Sequence, residues 1–323
     1  MGAEHKRLIS RYCPLFTLII LLFVGIAQGG DWHFGSKLVC SDCHTIHDSA
    51  NSQPMRYDGV AAPAPDMLRA ATSLALCIYC HDGTRADAPD VIAPVAYVAD
   101  PAGGFFANSG GVASGNAHNL GMPSSEIPPG GDNSVLLTCT TCHAPHGNSN
   151  YRNLQHNPVG SANVPDVTVV VNQIVKANGS NPNTVYIPAN LVYKSGISQW
   201  CGACHSVFFG KSADKEGSAS PWLRHPSDQT ISTSKHVDDQ HWSGSIMNRV
   251  PIQSPNDDTI PSGDDQVFCL SCHKAHGSAK PFGLIYADGA TLTSTCQQCH
   301  SQGNSGNVPA SAAAASVGTI RRQ

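Results

Sequence analysis

The chain has 323 residues, 19 Lys and Arg against 23 Asp and Glu, and a formal net charge of −4. With no basic excess, a nucleic-acid surface built on phosphate neutralisation is excluded as the main business of the protein. Its 30 Gly and 22 Pro argue against long regular elements, while 13 Cys and 16 His are far more than packing requires.

In chain order, the N-terminus reads as a secretory signal over residues 1–29. His5, Lys6, Arg7 and Arg11 form a basic n-region ahead of the apolar run "PLFTLIILLFVGIA", too short for a membrane span, with Ala27 and Gly29 placed for cleavage. Cys13 falls inside that segment and leaves with it. No later stretch is apolar enough to cross a bilayer, so the expected product is exported, with no transmembrane span and no nucleic-acid partner.

The 12 remaining cysteines fall into six copies of C-x-x-C-H: Cys40, Cys43 and His44; Cys77, Cys80 and His81; Cys139, Cys142 and His143; Cys201, Cys204 and His205; Cys269, Cys272 and His273; Cys296, Cys299 and His300. Two cysteines three apart on a tight turn each reach one vinyl group of a haem, and the next histidine then lies under the iron as proximal ligand. A disulfide scaffold or zinc ribbons would account for the cysteines but not for a histidine after every second one. The expected cofactors are therefore six haem c groups, contributing most of the apolar core.

The copies alternate. The first, third and fifth carry a second histidine, "CHTIH", "CHAPH" and "CHKAH"; the second, fourth and sixth do not. The chain is thus three successive pairs beginning at Cys40, Cys139 and Cys269. The flanks "GDNSVLLTCTTCHAPHG" and "GDDQVFCLSCHKAHG" mark an internal repeat. Between motifs, "DMLRAATSLALCIYC" predicts a helix with Asp66 as N-cap. "VTVVVNQIV" with Asn178-Gly179 and "TVYI" predicts a β-hairpin. The fold class expected is mostly irregular coil with short helices at the haem motifs and a minor hairpin. One domain spans 30–303, and a flexible Ala/Ser-rich tail covers 304–323.

Nine histidines remain for distal positions: His33, His47, His118, His146, His156, His225, His236, His241 and His276. Six are needed, and the best placed are His47, His118, His146, His225, His236 and His276, ahead of His33 and His241, with His156 behind. Bis-histidine ligation sets lower potentials than histidine–methionine. Proximal and distal imidazoles approach an iron from opposite faces. Three residues span at most about 10–11 Å, so His47 cannot serve the iron that His44 holds and must reach another haem. All six motifs end in histidine and ligands exceed demand, so no open catalytic iron is expected and a multihaem enzyme is disfavoured.

The segments "CHTIHDS", "AHNLG", "LTCTTCHAPHGNSNYR", "GISQWCGACH", "LRHPS", "CLSCHKAHGS" and "CQQCH" are similar, in content and order, to the filament-forming hexahaem c-type cytochromes of metal-reducing bacteria. The likeness covers most of the chain after the signal; the loops between are shorter and the Ala/Ser tail departs. It implies a coil fold round a continuous haem stack that alternates parallel and T-shaped packing, bis-histidine throughout. It also implies an extracellular homopolymer in which His47 ligates a haem of the next subunit, passing electrons to other multihaem cytochromes and extracellular acceptors. A monomeric periplasmic or outer-surface electron shuttle is the alternative.

Overall fold

The computed structural model describes residues 33, 38–47, 49–50, 53–85, 88–92, 103–106, 115–161, 163–173, 191–210, 225–231, 251–256, 263–285, 293–296 and 299. The predicted signal and tail lie outside them.

A cysteine pair three apart, with its histidine next in line, closes a single helical turn. One-turn helices span Cys40–Cys43 (α1), Cys139–Cys142 (α3) and Cys269–Cys272 (α5), each ending on an extended histidine with φ between −115° and −120°. The histidine N–H donates to the first cysteine's carbonyl at 2.9, 2.9 and 3.1 Å. The second motif instead ends a nine-residue helix, Ser73–His81 (α2). The fourth sits at the end of Ile197–Gly202 (α4), with Gly196 before it at φ 92°. A last helix covers Thr293–Cys296 (α6).

Asp66 does not cap α2. The cap is Thr72, whose Oγ1 accepts from the Ala75 N–H at 3.1 Å, and Asp66 lies six residues earlier at φ 56°.

The predicted strand forms, but its partner differs. Val170–Gln173 (β3) pairs antiparallel with Leu191–Ser195 (β4), with Val171 opposite Tyr193 and an irregularity at Val170. The Asn178-Gly179 turn and "TVYI" lie outside the described residues. The strand "LVYKS" satisfies both the edge of β3 and the core, because Tyr193 points inward. Two further two-residue pairs occur, Ser49–Ala50 (β1) with Gln53–Pro54 (β2) and Gln229–Thr230 (β5) with Gln266–Val267 (β6).

The chief apolar cluster among the described residues is small: Val167, Val169, Tyr193, Ile197 and Phe268, with Trp200, Tyr151 and Leu154 against it. Tyr193 packs on Phe268 at 4.9 Å between ring centres. That cluster locks the fifth motif to the β3–β4 ribbon, and Ser198 reinforces it by accepting the Cys269 N–H at 3.3 Å. Elsewhere the chain is coil. No helix among the described residues is long and apolar enough to cross a membrane.

Candidate haem-binding sites

None of the 12 described cysteines is paired in a disulfide. Among the described residues no three Cys, His, Asp or Glu side chains converge on a point, as a zinc ribbon would require. Burial pushes the Cys142 and Cys272 thiols up to about 12, the mark of an apolar cleft.

The thiols also order the motifs in space. Cys43 interacts electrostatically with Cys80 and Cys77, Cys77 hydrogen-bonds Cys139, and Cys142 interacts with Cys204. Cys201 hydrogen-bonds Cys269, and Cys272 interacts with Cys299 and Cys296. Each motif therefore lies beside the next along the chain, from the first to the sixth.

The imidazoles face one another in pairs. His33 lies opposite His81 at 6.1 Å between ring centres, His44 opposite His146 at 6.0 Å, His118 opposite His205 at 6.1 Å, and His143 opposite His276 at 6.3 Å. Two metal–imidazole bonds of about 2.0 Å, with about 1.1 Å from each Nε2 to its ring centre, set centroids about 6.2 Å apart. The four pairs thus have the separation that one iron between two Nε2 atoms requires, and each contains one proximal histidine of a C-x-x-C-H motif.

The other ring nitrogen is engaged. Nδ1 of His44 lies 3.0 Å from the Asp66 carbonyl, His81 2.9 Å from Pro89, His143 3.0 Å from Arg152, His205 2.8 Å from Pro129 and His273 3.0 Å from Phe282. A carbonyl only accepts, so Nδ1 carries the proton and Nε2 is left as the ligating lone pair. On the facing side, His118 donates to Ala275 at 2.7 Å and His276 to Gly104 at 3.3 Å. Burial lowers the pKa of His33, His118, His143 and His273, and takes His276 down to about 3, so these rings are neutral, the form that binds metal.

Tight backbone contact places two of the facing rings. His276 N–H donates to Gly103 at 2.6 Å, Phe105 N–H to Gly277 at 2.9 Å, and His118 N–H to His276 at 2.9 Å. A Cβ at Gly104 would meet the Gly277 carbonyl oxygen at 1.9 Å, so three strands of chain close here only with glycine at that position, whose φ is +76°. Phe106 stacks on His276 at 4.3 Å.

Of the expected distal residues, His118, His146 and His276 face a proximal histidine. So does His33, which the sequence ranked lower: an isolated histidine carries no local signal, and its partner lies 48 positions on. His156 places Nδ1 3.2 Å from the Val167 carbonyl, and His225 places Nδ1 2.8 Å from that of Pro226. His47 is exposed, and its N–H donates to Thr45 Oγ1 at 3.2 Å. Among the described residues no imidazole stands across from His47 or His273 at the pair spacing. His236, His241 and His300 lie outside the described residues.

Residues 261–305 match the family model of the doubled CXXCH motif. The chain is 24% identical to the C-type cytochrome OmcS of Geobacter sulfurreducens, over 76% of this chain and 78% of that protein. Two solved structures share the fold. The Outer Membrane Cytochrome S filament of the same organism has a TM-score of 0.50 at 16% identity, covering 78% of this chain and 84% of that one. The cryo-EM structure of OmcS nanowires has a TM-score of 0.52 at 17% identity, covering 82% and 91%. The chain thus shares the fold of the OmcS structures, and its C-x-x-C-H motifs have the spacing of haem c attachment sequences.

Proposed function

We propose that this protein is an electron conduit that polymerises into an extracellular filament, with six bis-histidine haem c groups and no open catalytic iron. The observation that carries it is the coincidence of two series: neighbouring thiols run from motif one to motif six in order, and four imidazole pairs have one-iron spacing.

Haem c so held supplies a one-electron ferric/ferrous couple. The chain's part is to tether the cofactors close together, to present neutral Nε2 atoms, and to hold each described proximal Nδ1–H on a carbonyl so that ring orientation is fixed. Ligands come from His33, His118, His146 and His276 for the irons of His81, His205, His44 and His143. His225, His236, His241 and His156 are the candidates for His300.

The paired motifs suggest how copies join. The second histidine of motif three, His146, faces the first of motif one, His44. The second of motif five, His276, faces the first of motif three, His143. Each step runs two motifs back. From His47 the same step leaves the chain and arrives at motif five of another copy, whose His273 has its Nδ1 held by Phe282 as in the other two units. The geometry thus favours His47 as an inter-subunit ligand to the His273 iron. The redox partners are other multihaem cytochromes and extracellular acceptors.

The test is electron microscopy of the secreted fraction beside a haemochrome assay. Thin filaments with six haems per chain support the reading; a monodisperse particle with six haems makes the protein a shuttle. His47→Ala is expected to keep six haems and yield monomers, and filaments persisting in that variant would refute the junction.

A further inference from the structure

The three paired motifs share a feature their sequences do not advertise. After each proximal histidine the chain folds back through a short 3₁₀ segment: Pro65–Met67, Tyr151–Asn153 and Pro281–Gly283. Both central residues of each turn have positive φ: Asp66 and Met67 at 56° and 56°, Arg152 and Asn153 at 52° and 56°, Phe282 and Gly283 at 56° and 68°. The i+3 N–H returns to the first residue, from Leu68 to Pro65 at 3.2 Å, Leu154 to Tyr151 at 3.2 Å and Leu284 to Pro281 at 3.1 Å. This is the type I′ turn, the mirror image of the common type I, which ordinarily calls for Asn-Gly or Gly-Gly. Here the first central residue is an acid, a base and an aromatic in turn.

Those side chains do not explain the conformation, since Asp66, Arg152 and Phe282 are all exposed. What recurs is the backbone. The carbonyl of the first central residue receives the proximal Nδ1–H at 3.0 Å in each of the three units. The same histidine forms an antiparallel bridge to the leucine that ends the turn: His44 with Leu68, His143 with Leu154, His273 with Leu284. Mirror inversion of a turn swings its central peptide to the opposite side, so an ordinary type I turn in that hairpin would aim this carbonyl away from the imidazole. Strained φ/ψ retained in triplicate calls for a role in the site. Motifs two and four use the carbonyls of Pro89 and Pro129 for the same purpose, without such a turn.

We infer that the mirror turns at Asp66–Met67, Arg152–Asn153 and Phe282–Gly283 are positioning devices for His44, His143 and His273, setting ring orientation and ligand basicity at three irons. The inference rests on the haem reading above. An imidazole that donates Nδ1–H to a carbonyl is a stronger donor through Nε2, which favours the ferric state.

The test replaces each first central residue with glycine, which occupies positive φ freely, and with valine, which resists it. Asp66→Gly, Arg152→Gly and Phe282→Gly are expected to keep all haems, the parent midpoint potentials and the parent low-spin resonance signals. Arg152→Val and Phe282→Val are expected to shift one midpoint potential upward and to displace one low-spin signal, leaving the other irons unchanged. Valine variants with all haems attached, lower thermal stability and unmoved potentials would make the turns hairpin closures only and overturn the inference. So would a glycine variant that shifts a potential. Where a valine variant does not accumulate, hydrogen exchange in the reduced parent decides: slowly exchanging Nδ1 protons on His44, His143 and His273 are expected, and fast exchange overturns the proposal. A parent lacking haem would instead defeat the haem reading, a result the haemochrome count separates at the outset.

Discussion

Motifs one, three and five differ from motifs two and four in what they join. The odd motifs are single turns whose histidine is extended and zipped to a mirror turn, and three residues later they carry a second histidine, which in motifs three and five faces the proximal imidazole two motifs back. The even motifs end longer helices, take their Nδ1 acceptor from a proline carbonyl, and receive their facing imidazole from His33 or His118, outside any C-x-x-C-H motif. A one-turn helix leaves its extended histidine free to bridge to the end of a turn, whereas His81 closes its helix and His205 opens the Ser206–Phe208 turn.

Cofactor removal is expected to have the largest effect on both kinds of motif. The described apolar cluster centres on five buried residues, too few to offset the chain entropy of a domain this size. Chain produced without haem attachment is expected to be unfolded by circular dichroism and fully protease-sensitive; a cooperative apo fold would contradict the haem-built core.

Next come the facing imidazoles. His146→Ala should open the iron of His44, two motifs away, while the iron beside it on His143 stays six-coordinate. His33→Ala should open only that of His81. Carbon monoxide binding to one haem of six in each reduced variant is the readout. Phe268→Ala removes the ring that seats the fifth motif on Tyr193 and should cost about 3–5 kcal/mol in denaturant unfolding.

Acid comes next. The folded His276 ring holds its proton only below about 3, because burial opposes the charge, while an unfolded histidine takes one near 6.5. Between those values the unfolded state binds more protons. Stability is therefore complete above about pH 6.5 and falls progressively as pH drops toward 3. Urea midpoints should decrease monotonically from pH 7 to pH 4, with loss of the low-spin spectrum. The smallest effect belongs to an even motif: Thr72→Ala removes the cap of Ser73–His81 and should cost about 1 kcal/mol without touching any odd-motif iron.

Much of this was legible in the residues, and the parts that were not have physical reasons. The C-x-x-C-H spacing is a local mechanical requirement, so all six motifs and their alternation stand in the sequence, and so does the impossibility of His47 serving the His44 iron. Facing imidazoles are long-range: His118 meets His205 and His33 meets His81 only because coil folds back, and coil has no period to read. Asp66 resembled a helix cap because acidic residues commonly cap, yet its backbone is spent on the carbonyl that His44 needs. The mirror turns were invisible because Asp-Met, Arg-Asn and Phe-Gly lack the usual turn chemistry. The strand at Val170–Gln173 was readable from its β-branched run, but Asn178-Gly179 drew attention to a nearer partner than Leu191–Ser195.

On the proposed arrangement, each second histidine of a paired motif serves the iron two motifs back. A cryo-EM map of the haem-loaded assembly, at a resolution that shows axial bonds, tests it most directly. Density is expected from His146 to the haem on Cys40 and Cys43, from His276 to that on Cys139 and Cys142, and from His47 to the haem on Cys269 and Cys272 of an adjoining copy. Any of these three imidazoles bound to a different iron, or an iron of motif one or three without a second imidazole, would contradict it.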